Sequence, residues 1–148
     1  MTAEMIARDS IDIEAVPACV WEVLTKPQHT RQYMFGCDAE SDWQVGSRLV
    51  WRGTQDGKVY VKGTIVQIDR DRLLQYTTFS PDAFDHYEDK PENYTTVTLE
   101  LTPLEGATRL SVSQGDFAPI ANGGLRFAHT VNSWKTTLAQ IKEIAERP

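Results

Sequence analysis

Cysteine is scarce in this sequence. Cys19 and Cys37 are the only two, too few and too isolated for a disulfide scaffold or a thiolate metal site. The three histidines, His29, His86 and His129, are scattered, with no HxH or HExxH spacing, so no metal ligation is expected. No apolar run approaches the roughly 18 residues that a membrane span needs. The first fifteen residues lack the basic cluster and apolar stretch of a secretory leader. Positive charge is also in deficit: 15 Lys and Arg stand against 21 Asp and Glu, a formal net charge of −6. A surface of that sign repels phosphate backbones and anionic headgroups, so neither nucleic acid nor membrane is an expected partner. A reducing, cytoplasmic setting is expected.

What remains is ordinary globular material: 148 residues, 41% hydrophobic and 24% charged, enough for one domain over 1–148 with a real core. Ile11, Ile13 and Ala15 alternate with Asp12 and Glu14, the period of a half-buried strand. Pro17 suits the first turn of a short helix through Thr25, and Pro27 ends it; Gln28–Tyr33 supplies another turn. Strands are expected over Arg48–Thr54, Val59–Ile68 and Leu73–Phe79, the first two joined at Asp56-Gly57, a hairpin dipeptide that tolerates positive φ. The acidic, proline-bearing stretch Pro81–Asn93 shows no period and reads as a loop, and its length suggests a lid over a cavity. Its carboxylates lack the regular spacing and turning glycine of a calcium site. Tyr94–Thr102 and Thr108–Gln114 form a further hairpin with Val97, Leu99, Leu101, Leu110 and Val112 on one face.

From Leu125 to Ala145 there is no proline or glycine, and Phe127, Val131, Trp134, Leu138, Ile141 and Ala145 recur at steps of four and three. That is one stripe of a helix about 21 residues, or roughly 30 Å, long. The order is strand, short helix pair, about six strands, long helix. It predicts an α+β helix-grip fold: a curved antiparallel sheet around one C-terminal helix, with space left between them.

The residues then resemble a family. Val16-Pro17 through Trp21 to Thr25-Lys26-Pro27 is similar to the opening motif of the START-like, polyketide cyclase and lipid-transport superfamily. More narrowly it resembles the family of activators of the heat-shock-protein-90 ATPase. Gly46, Asp56-Gly57, Gly63–Ile68, Arg72–Leu74, Thr108–Leu110 and Ser133-Trp134-Lys135 with Leu138 follow in the family's order, covering about residues 8 to 146. Ser133 stands where the family usually has glycine, and Tyr33-Met34-Phe35 where it often has tryptophan; both changes bear on the shape of the cavity. The resemblance implies a START-like domain that binds a small hydrophobic or aromatic molecule. It leaves open cyclase-, aromatase- or hydrolase-like chemistry in the same cavity, a chaperone ATPase-activating role, a part in stress response, and homodimerisation.

The candidate cavity lining is Trp51, Tyr60, Tyr76, Phe79, Gln114, Phe117, Phe127, Val131, Trp134 and Leu138. Each aromatic among them is equally at home in a packed core. Gln114, in phase with Leu110 and Val112, places an amide on the inner face, where a ligand or trapped water could partner it. Which face of Leu73–Phe79 points inward stays open. His129 lies roughly 200° around the helix from Phe127 and is expected in solvent. There is no G-x-S-x-G elbow, phosphate loop or evident acid–base pair, so no catalytic residue and no cofactor is expected, and binding without catalysis is the leading reading. A chaperone partner is not expected.

Overall fold

A computed structural model describes residues 3–80 and 88–147. Strand β1 (Ala7–Ile13) leads to α1 (Pro17–Thr25) and α2 (Pro27–Tyr33), each opened by a proline in its first turn, where the missing N–H costs nothing. Then come β2 (Cys37–Ser41), β3 (Arg48–Gly53), β4 (Val59–Asp69), β5 (Leu73–Thr78), β6 (Thr95–Leu104), β7 (Ala107–Gly115) and the long helix α3 (Gly123–Ala145). The seven strands form one antiparallel sheet in the order β1-β7-β6-β5-β4-β3-β2. The fold is the expected helix grip, with β2 as an additional edge strand. Residues 81–87, with Asp82, Asp85 and His86, lie outside the described part, and so does most of the proposed lid. Its remainder carries a short 3-10 turn at Pro91–Asn93.

Two devices bend the sheet. Register shifts between Trp51 and Arg52 in β3, and between Ile65 and Gln67 in β4, mark bulges that add local twist. Between them lies Gly63, where an added Cβ would stand 1.6 Å from the carbonyl oxygen of Thr77. Only glycine lets β4 and β5 approach that closely. The β3–β4 turn is looser than the Asp56-Gly57 signal suggests: Gly57 alone takes a positive φ, and Gly53 N–H reaches the Lys58 carbonyl at 2.8 Å around it.

On the concave side, Leu74 and Tyr76 of β5, Val97, Leu99 and Leu101 of β6, and Leu110 and Val112 of β7 are buried in one cluster. Over them lie Val20, Trp21, Val23 and Leu24 of α1 and Leu138, Ile141, Ile144 and Ala145 of α3. The helix is thus unevenly buried. From Thr137 onward it is packed into the core; between Gly124 and Ser133 every residue is exposed or half-buried.

Candidate ligand cavity

Under that less buried half of α3 lies open space. An outer chamber of about 450 Å³ is bordered by Phe79 and Phe117 below and by Leu125, Arg126, His129 and Thr130 of the helix above. It adjoins an inner chamber of about 200 Å³ that shares Thr78, Ser80, Gln114 and Thr130 and extends to Trp51, Tyr76 and Trp134. Beyond Trp134 only a gap of about 10 Å³ remains, against Leu24, Leu74 and Ile141, where the core closes. The cavity runs along the sheet–helix seam, and the exposed ring of Phe35 stands at the edge of its inner chamber. Two other surface depressions, over the β1/β7 outer face and beside α1, are bordered by charged side chains such as Arg8, Asp9 and Glu100, or Glu22, Lys26 and Arg70. Both offer a ligand more polar than apolar surface.

Local structure positions the walls. Alternation along β5 sends Leu74 and Tyr76 inward and settles the open question for that strand. Phe79, just past its end, is held by paired backbone hydrogen bonds to Lys62 and stacks on Tyr94 at 5.0 Å. Phe117 packs edge-on to Phe127 at 6.1 Å. The Trp51 ring sits 6.4 Å from both Tyr33 and Tyr76.

At the junction of the chambers a polar chain crosses from helix to sheet. Trp134 Nε1 donates to Gln114 Oε1 at 2.8 Å, and Gln114 Nε2 donates to Thr95 Oγ1 at 2.9 Å. The Gln114 amide expected to await a ligand is therefore partnered by protein at both ends. Tyr33, buried, donates its hydroxyl to the Leu24 carbonyl at 2.8 Å. Burial pushes the phenols of Tyr33 and Tyr76 well above the ordinary tyrosine range, so both stay neutral.

Six of the ten candidate residues border the cavity: Trp51, Tyr76, Phe79, Gln114, Phe117 and Trp134. Four do not. Tyr60 is 41% exposed on β4 and donates its hydroxyl to Asp56. Phe127 packs against Phe117 instead, Val131 is half-buried beside it, and Leu138 is in the closed core. The helix presents Arg126, Thr130, Ser133 and Thr137 to the cavity, at the same steps of four and three but rotated from the apolar stripe. His129 is exposed, as expected, yet stands at the mouth. The signal for these was present as a second, polar stripe; reading only hydrophobic periodicity passes over it.

Among the described residues no group of three His, Cys, Asp or Glu is arranged to hold a metal ion. None of the described helices is long and apolar enough to cross a membrane.

Comparison with known proteins agrees with this fold. The model of the family described as "Activator of Hsp90 ATPase homolog 1-like protein" matches residues 14–146. The solution structure of ChR145 from Cytophaga hutchinsonii is 36% identical, covers 99% of this chain and 97% of its own, and superposes with a TM-score of 0.77. An HSP90 activator from Plasmodium falciparum, PFC0360w, is 19% identical over 97% of this chain and 98% of its own, at a TM-score of 0.73. The Aha1 dimer from Colwellia psychrerythraea is 17% identical over 95% and 96%, at 0.72. At those lower identities the likeness is one of fold. No curated protein matches the chain.

Proposed function

The chain belongs to the Activator of Hsp90 ATPase homolog 1-like family, and from that membership together with the cavity we propose that it binds a small hydrophobic or aromatic molecule between sheet and C-terminal helix, without catalysis of its own. The observation that carries this is the size and placement of the outer chamber: about 450 Å³, open at His129 and Leu125, floored by the two buried rings of Phe79 and Phe117. A ligand there gains about 25 cal/mol per Å² of apolar surface removed from water, before the cost of ordering it. Among the described residues no pair of titratable groups borders either chamber in the manner of a general acid and base; Arg126 and His129 are the titratable side chains at the outer one.

The test is a titration with an environment-sensitive hydrophobic dye, followed by its displacement from a library of small aromatic and aliphatic compounds. Enhanced emission, competed away by at least one compound that also raises the melting temperature, is expected. No dye uptake and no thermal shift across the library would overturn the reading. The family's name and the Plasmodium neighbour raise chaperone stimulation as a rival; we expect none, and an ATPase assay with purified chaperone decides it. Homodimerisation, as in the Colwellia protein, is a separate question and is read by sedimentation. A cytoplasmic location is part of the same proposal.

A further inference from the structure

Seven described residues that carry a hydroxyl are buried: Thr25, Thr30, Thr95, Thr108, Thr137, Tyr33 and Tyr76. Five are hydrogen-bonded within the protein. Thr25 donates to the Trp21 carbonyl at 2.9 Å, Thr30 to that of Cys37 at 3.2 Å, Thr108 to that of Ala15 at 2.7 Å, and Tyr33 to that of Leu24, while Thr95 accepts from Gln114. The two left over, Tyr76 at 6% and Thr137 at 4% exposure, make no hydrogen bond with any described residue. Both border the same inner chamber, one from the sheet and one from the helix.

Neither oxygen is among the sealed side-chain atoms that lack a partner, so both reach the open space of the chamber, and a ligand that displaces water there must replace its hydrogen bonds. A ligand atom in the chamber can supply the missing partner. Its chemistry is constrained on three sides. The chamber of about 200 Å³ has room for one aromatic ring with a substituent. Trp51, Val61 and Val97 make much of its wall apolar, and no charged side chain among the described residues borders it, so a carboxylate or ammonium would enter uncompensated. A neutral phenol with no acceptor of its own is a donor in search of an acceptor.

We infer that the inner chamber selects a ring-sized apolar group carrying a neutral hydrogen-bond acceptor, a ketone, quinone or amide oxygen, received by the hydroxyls of Tyr76 and Thr137. This rests on the binding function proposed above and narrows its ligand class.

The experiment uses two matched single-ring probes, acetophenone and ethylbenzene, titrated into wild type, Tyr76→Phe and Thr137→Val by displacement of the environment-sensitive dye. Tyr76→Phe is expected to weaken the ketone about tenfold and the hydrocarbon less than about twofold, the loss of one buried hydrogen bond. Thr137→Val is expected to act the same way, about threefold, on the ketone alone. Without probe, neither variant should melt lower than wild type, because neither hydroxyl is bonded to protein. If both probes bind but weaken equally, or not at all, the inference fails and the binding function stands. If neither probe binds wild type, both fail. A clear fall in melting temperature for unliganded Tyr76→Phe would also overturn it, by revealing a protein partner for the phenol.

Discussion

The indole nitrogen of Trp134 and the side-chain oxygen of Gln114 lie 2.8 Å apart, joining the middle of α3 to β7 at the point where the two chambers meet. An indole can only donate, so this contact fixes the amide's orientation and leaves its NH₂ aimed at Thr95. Trp134→Phe keeps an aromatic ring but strands the amide oxygen. It is expected to cost about 1–2 kcal/mol in urea unfolding. Adding Gln114→Leu should recover part of that loss, since both partners are then apolar; a strictly additive double variant would argue that the bond contributes nothing.

Thr130 borders both chambers from the helix. Thr130→Phe should fill their junction and reduce dye uptake about tenfold or more, corresponding to roughly 1.4 kcal/mol per tenfold. The fold should be unharmed, because the site is only half-buried. Unchanged uptake in a folded variant would place the dye elsewhere on the surface.

The uneven burial of α3 predicts opposite effects from two leucines. Leu138→Ala, deep in the closed core at 2% exposure, should cost about 2–5 kcal/mol of stability. Leu125→Ala, 54% exposed at the mouth, should change stability by less than about 0.5 kcal/mol and yet weaken dye binding. Thermal melts and dye titrations on the two variants check this together.

Gly63→Ala should be severe for its size. The new methyl group meets backbone, the Thr77 carbonyl, which cannot rotate aside as a side chain would. A loss of at least about 2 kcal/mol is expected from overpacking, measured by denaturant unfolding.

Acid should weaken one particular tie. Asp116 accepts backbone N–H groups from Met5 at 2.8 Å and Ala118 at 2.9 Å, and these hold its carboxyl below the usual aspartate range. A carboxyl lowered in the folded state stabilises above its unfolded value, about 3.9, and that contribution fades as pH falls through the lower folded one. Asp116→Ala should therefore melt below wild type at pH 7, with the gap narrowing towards pH 2. A gap that stays constant with pH would mean that the charge plays no part.

Much of this architecture was legible because burial and periodicity coincide. The β6–β7 hairpin, with Val97 opposite Gln114 and Leu99 opposite Val112, follows from strict alternation. Strand β2 was missed because Cys37-Asp-Ala-Glu-Ser offers only two small inward residues, Cys37 and Ala39, and pairs on one side alone. The helix length was legible, and so was the facing of its second half, where Leu138, Ile141 and Ala145 of the apolar stripe are buried in the core. In the first half Arg126, Thr130, Ser133 and Thr137 line the cavity, on a face rotated from that stripe by roughly 90° at 100° per residue. Hydrophobic spacing finds where protein packs on protein. A cavity wall carries no such demand, so Arg126, Thr130 and Ser133 left no apolar trace. Tyr60 misled for a related reason: an aromatic on a strand favours the pleated backbone whether it faces in or out, and here Asp56 holds its hydroxyl outside.

Because α3 is sealed by Leu138, Ile141 and Ile144 but only loosely covered before Trp134, its two ends release at different cost. Fraying of the leading turns breaks few apolar contacts, whereas detaching the trailing turns dismantles the core. Backbone amides along this helix should accordingly trade hydrogen for deuterium in a gradient, fastest near Leu125 and slowest near Ile141. On the binding function proposed above, the breathing of these few turns is enough to widen the outer chamber beneath them.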